Sequence, residues 1–140
     1  MGRRGLFLDF LVCKIGVALA AIALVGAVLV MSSSSERDIE RGEMNAVADT
    51  ITQTIQVIDG MPGEILVTRE LPLIGSQFLV EILGTYDNVQ VVRVIVEGQS
   101  RIEKVVLVRE KINGGVFELS RNSPTLLRLV KVDEIKLELV

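Results

Sequence analysis

The chain has 140 residues, room for one compact domain. It has no His and a single Cys, Cys13, so the usual general base and metal ligand are missing and an internal disulfide is excluded. Residues 1–31 carry Arg3, Arg4 and Lys14 against Asp9, a net charge of +2, whereas residues 32–140 hold 12 basic and 17 acidic side chains, a net of −5. An acidic domain without a basic stripe argues against nucleic acid as a partner.

From Ile15 to Met31 the chain runs 17 residues without a charge; counted from Leu6, the apolar stretch is 26 residues long, interrupted by Asp9 and Lys14. A bilayer core needs about 20 apolar residues, so the segment 6–31 is expected to cross a membrane and to meet its lipids. A cleaved secretion signal is the rival reading, but its apolar core would run only about 7–15 residues before a small-residue cleavage site. Arg3 and Arg4 precede the span and set the N-terminus on the cytoplasmic side, with residues 64–140 outside the cytoplasm. Gly16, Ala20, Ala23 and Ala27 recur at spacings of four, three and four, which places small residues on one helical face open to close approach by another helix.

Ser32 to Ser35 mark the membrane exit, and Ser33 with Glu36 has the spacing of a capping box. The helix either restarts there or runs through. Met44, Val47, Ile51, Ile55 and Ile58 then form a stripe spaced three, four, four and three, the signature of an amphipathic helix over 36–58 within the segment 32–63. Its opposite face is read as Thr50, Thr52, Gln53, Thr54 and Gln56, polar and uncharged. If continuous from Leu6, the helix would be about 80 Å long at 1.5 Å per residue.

The helix is expected to end at Asp59-Gly60-Met61-Pro62-Gly63, where glycine accepts a left-handed conformation and proline cannot continue the helix. From Glu64 the period changes to that of strands, expected over 65–71, 78–86, 89–97, 102–112, 116–120, 126–132 and 135–139. Turns are expected at Asp87-Asn88, at Gly98-Gln99 and, as the strongest hairpin signal, at Asn113-Gly114; Asn122-Ser123-Pro124 breaks the run. Short connections imply an antiparallel meander, which must cover one face. The class is therefore α+β: a long N-terminal helix, transmembrane then amphipathic, packed on an antiparallel β-meander through its Met44–Ile58 stripe.

Carboxylates in the strands stand beside basic residues, as in Arg69-Glu70, Glu103-Lys104 and Arg109-Glu110, the pattern of a solvated face. Gly114-Gly115 lacks the Lys-Ser or Lys-Thr of a phosphate loop. No catalytic, metal, cofactor or small-molecule site is read, and no enzyme activity is expected.

Arg3-Arg4-Gly5, the apolar helix, its amphipathic extension and the β-domain together resemble type IV pilin-like proteins, the group of archaeal pilins and bacterial pseudopilins. In that family a short basic leader ending in Gly is removed by a membrane peptidase, and the apolar helices pack into a filament core. The resemblance spans the chain and implies a leader of residues 1–5, cleavage after Gly5, Leu6 as the new N-terminus, and other copies of the chain or related subunits as partners. Many pilins place Glu five residues after the cut; here Phe10 stands there, with Asp9 one position early, and Lys14 lies inside the span. The alternative is a signal-anchored extracytoplasmic interaction module, accessory to a cell-envelope complex and without catalytic activity.

Overall fold

The computed structural model describes residues 2–86 and 90–140. Its contacts divide into two compact units, one up to Asp38 and one covering Ile39–Val140. A single helix, α1 (Gly2–Gly60), contributes to both. Residues 2–38 are helical throughout and exposed. Between the two open alternatives at Ser32 to Ser35, the helix runs through. Ser33 shows why its hydroxyl does not start a new helix: Oγ donates to the Val30 carbonyl at 3.0 Å, a bond back into the preceding turn.

Among the described residues of the second unit, eight strands follow the helix: β1 (Ile65–Glu70), β2 (Phe78–Tyr86), β3 (Gln90–Glu97), β4 (Arg101–Val108), β5 (Ile112–Asn113), β6 (Gly115–Leu119), β7 (Leu126–Lys131) and β8 (Ile135–Leu139). They form two four-stranded sheets, ordered β1-β7-β8-β5 and β4-β3-β2-β6. All pairs are antiparallel except β5 with β8. The α+β class with a long N-terminal helix packed on the sheets is thus present. The meander itself is confined to β2–β3–β4, with a hairpin of β7 and β8 beside it. The expected turn at Asp87-Asn88 and the start of the third strand at Val89 lie outside the described residues.

The core is built where helical and strand periods meet. Met44, Val47, Ile51, Ile55 and Ile58 have no exposed surface. They pack with inward residues of both sheets, including Phe78, Val80, Val94, Leu127, Leu129 and Ile135. Alternation supplies the strand side: in β2, Phe78, Val80 and Ile82 are buried while Leu83 is exposed. At about 25 cal/mol per Å² of apolar surface, each fully buried aliphatic side chain contributes roughly 1.5–3 kcal/mol.

Three local expectations change. The polar face of α1 is narrower than the sequence suggests, because Thr52 and Thr54 are buried. Their hydroxyls donate to the Ala48 and Thr50 carbonyls at 2.9 and 2.6 Å, so each polar group is satisfied within the helix. The fourth strand stops at Val108 rather than Ile112. Beyond it, the amides of Arg109 and Glu110 donate to Asp59 Oδ1 at 3.0 and 3.1 Å, bonds that hold this turn to the end of the helix.

Asn113-Gly114 is not a hairpin. Asn113 does not adopt positive φ; β5 pairs in parallel with β8, while β6 joins β2 in the other sheet. The glycine serves a close approach at this crossing. A Cβ on Gly114 would lie 2.8 Å from Ile82 Cγ2 and run into the Ile82 carbonyl.

The helix end agrees with the turn chemistry. Met61 N donates to the Ile58 carbonyl, and Gly63 takes the left-handed conformation at φ 87°. There is no basic residue in the last turn of α1, but Lys131 of β7 supplies one. Its buried Nζ lies 2.9 Å from the Met61 carbonyl and 3.4 Å from those of Ile58 and Asp59, and 3.9 Å from a Glu110 carboxylate oxygen. A cation at the negative end of the helix dipole, donating to carbonyls without helical partners, is favourable on both counts.

Candidate functional site

The residues singled out for processing and packing all lie on α1. Arg3, Arg4, Gly5 and Leu6 are part of the helix α1. Gly16, Ala20, Ala23 and Ala27 fall on one side of it, and a Cβ built on Gly16 meets nothing within 4 Å. The segment is long and apolar enough to cross a membrane, and its most apolar window has no surface buried inside the molecule. Leu24, Leu29 and Met31 are 65–73% exposed. A helix apolar all round and uncovered by its own chain has the composition of a lipid-immersed element.

Asp9 and Lys14 are the two charged groups near the start of this segment. Lys14 Nζ stands 4.7 Å from the centroid of the Phe10 ring, a cation–π contact one helical turn back. Cys13 is a free, exposed thiol on the same stretch.

In the second unit the carboxylates of α1 hold loops and strands to the helix. Glu40, 7% exposed, accepts the Gln99 amide at 2.8 Å. Both oxygens of Glu43 accept the Gly75 amide, Asp49 pairs with Lys104, and Asp59 takes the two amides after β4. Glu40, Asp49 and Asp59 thus meet β4 and its flanks at Gln99, Lys104 and Arg109, in the same order along both elements. Gly98 fits beside Glu40 because a Cβ there would press on its carboxylate and on the Phe78 ring.

Next to Glu40 lies a cavity of about 450 Å³, bordered by Glu97, Glu118, Ser76, Gln77 and Phe78. Its carboxylates do not converge: among the described residues, no group of three or more His, Cys, Asp or Glu is placed to hold a metal ion. Glu40 is already committed to the Gln99 amide. The Ser76 hydroxyl also borders the cavity.

A different feature has no counterpart in the sequence reading. On the outer face of the sheet β4-β3-β2-β6, Leu83, Val105, Leu107 and Val116 are 46–66% exposed. The register shows that they share this face. Leu83 and Val105 both pair with Arg93, and Val116 pairs with Glu81, which pairs with Ile95. The outer face of the other sheet carries Thr68, Arg128, Lys136 and Glu138, all exposed, together with Leu66 at 62% exposure. The signal was present in the sequence as uninterrupted apolar runs, Val94-Ile95-Val96 and Val105 to Val108, where a strand with one wet face would alternate.

The chain matches no protein-family model, and no characterised protein or solved structure shows significant similarity to it.

Proposed function

We propose that this chain is a membrane-anchored, pilin-like subunit of an extracellular filament or pseudopilus-type assembly. One observation carries the reading: α1 spends its first half as an exposed, apolar helix and its second half as the central element of a β-domain. That division of one helix suits a subunit whose apolar half packs among lipids or among the helices of its neighbours. The Arg3-Arg4-Gly5 leader and the small-residue face at Gly16, Ala20, Ala23 and Ala27 support it. Arg3 and Arg4, ahead of the span, support a cytoplasmic N-terminus with the β-domain beyond the membrane. The partners are then membrane lipids and other copies of this chain or related subunits, and the role is structural rather than catalytic.

A second reading rests on Phe10, which stands where many pilins carry Glu, and on Lys14 within the span. On that reading the helix is a signal-anchor and the β-domain an interaction module of a cell-envelope complex. The intact mass and N-terminal sequence of the protein from its native membranes separate the two. A chain starting at Leu6 supports the filament subunit. A chain retaining Arg3-Arg4 supports the signal-anchored module, and one starting beyond Met31 removes both by making the helix a secretion signal.

A further inference from the structure

Asp9 and Lys14 are the charges inside the apolar segment 6–31 of α1, one of each sign. They cannot serve each other on one helix. Five residues apart, they are separated by about 140° around the axis and about 7.5 Å along it. Among the described residues neither is in an ion pair. Charges in a membrane helix pair with one another or face the interior of a bundle. A headgroup phosphate offers a partner to Lys14 but repels Asp9, so lipid alone leaves one of the two unanswered.

A separation of five residues is the one that joins parallel helices across a seam. A residue on one flank reaches, in the neighbour, the residue five further on at the other flank. Such a seam runs between Asp9 and Lys14. Phe10, Cys13, Val17, Ala20, Leu24 and Ala27 recur at alternate spacings of three and four, all exposed and none charged. Ala20 and Ala27 are small enough for two helices to approach closely there. The Lys14 side chain turns back toward the N-terminus, with Nζ 4.7 Å from the centroid of the Phe10 ring. That sets the ammonium at about the level of Phe10, where a parallel copy in register meets it with Asp9. By two-fold symmetry the pair forms twice, so both charges of both chains are answered. Copies inserted in the same sense are parallel, as this arrangement requires.

We propose that this seam is the contact between two parallel copies of the chain, with Asp9 of each paired to Lys14 of the other. The proposal deepens, and rests on, the reading that the segment crosses a membrane and meets copies of itself. A first test oxidises the full chain in its membranes with copper phenanthroline and reads dimer on a non-reducing gel. Facing thiols can bond, and thiols on opposite sides cannot. Wild-type chains should join through Cys13. Cys13→Ser combined with Val17→Cys, on the seam, should also join. Cys13→Ser combined with Ile15→Cys, on the far side, should give about tenfold less dimer.

A second test reads association in mild detergent by sedimentation equilibrium. Asp9→Lys and Lys14→Asp should each weaken pairing by about tenfold, and the double swap should return it to within about threefold of the original. Asp9→Asn, which adds no charge to the helix, should weaken pairing about threefold and covers the case of a swapped chain that fails to insert. Equal joining from positions 13 and 15, or a double swap no better than the single variants, would overturn the proposal. So would a Lys14→Asp chain that loses membrane retention with pairing unchanged, the result expected if Lys14 serves headgroups. Alkaline washing reads anchorage separately. A wild-type chain that washes off removes the membrane reading and the proposal with it, whereas one that stays and remains monomeric removes the proposal alone.

Discussion

The two halves of α1 share one backbone and differ in what surrounds them. In residues 6–31 apolar side chains point in every direction and none is covered by the molecule; in residues 44–58 they occupy one stripe with no exposed surface. The contrast teaches that apolar content alone does not locate a core. A stripe is buried when strands of matching polarity fold back on it. An all-round apolar surface needs a solvent that is itself apolar.

That comparison can be broken by the same substitution made in each half. Ile51→Asp places an unpaired charge between helix and sheets and should destabilise the second unit by about 3–5 kcal/mol. Thermal melting of the full chain in detergent checks this, and an unaltered curve would show that the stripe is not what the sheets cover. Leu24→Asp should leave that melting curve unchanged and instead oppose membrane insertion by about 2.5–3.5 kcal/mol, read as a shift of the protein from the membrane to the soluble fraction. If both substitutions acted on melting alone, the division of the helix would be wrong.

A finer test addresses the end of the buried half. Lys131→Met keeps the length and bulk of the side chain but leaves the carbonyls of Ile58, Asp59 and Met61 without this donor. It should cost about 1–3 kcal/mol, whereas Lys136→Met on an exposed face should stay within about 0.5 kcal/mol. Equal melting of the two variants would mean that the helix end does not depend on the buried cation. In the exposed half, Ala20→Leu fills the small-residue face and should weaken lateral association severalfold without altering the melt. Unchanged assembly would remove the argument from that face. The smallest effect belongs to the junction: Ser33→Ala should change stability by less than about 0.5 kcal/mol, because its hydroxyl bonds back into a helix already continuous there. A larger loss would mean that Ser33 holds the two halves together.

Much of the fold was legible residue by residue. The Met44–Ile58 stripe, β2 at Phe78–Tyr86 and β8 at Ile135–Leu139 follow from periodicity, because burial on one side imposes a period of 3.6 on helices and 2 on strands. Asn113-Gly114 misled for an instructive reason. Its composition permits a tight hairpin, but β5 and β6 find better partners in different sheets, and the glycine is used for its small size beside Ile82. Thr52 and Thr54 misled because a hydroxyl that bonds its own helix can be buried at little cost. The candidate surface was legible only as apolar runs too long for one face.

The amino-acid sequence by itself determined the class of the molecule: a helix with an apolar and an amphipathic half, then strands. These properties reside in local pattern and composition, which neighbours in the chain suffice to set. Only the tertiary structure decided that the strands form two sheets packed on the helix, that Lys131 closes its end from 70 residues away, and that Leu83, Val105, Leu107 and Val116 share the outer face of one sheet. Those depend on which distant segments pair. Pairing is settled by the joint burial of both partners, a quantity no single stretch of sequence contains.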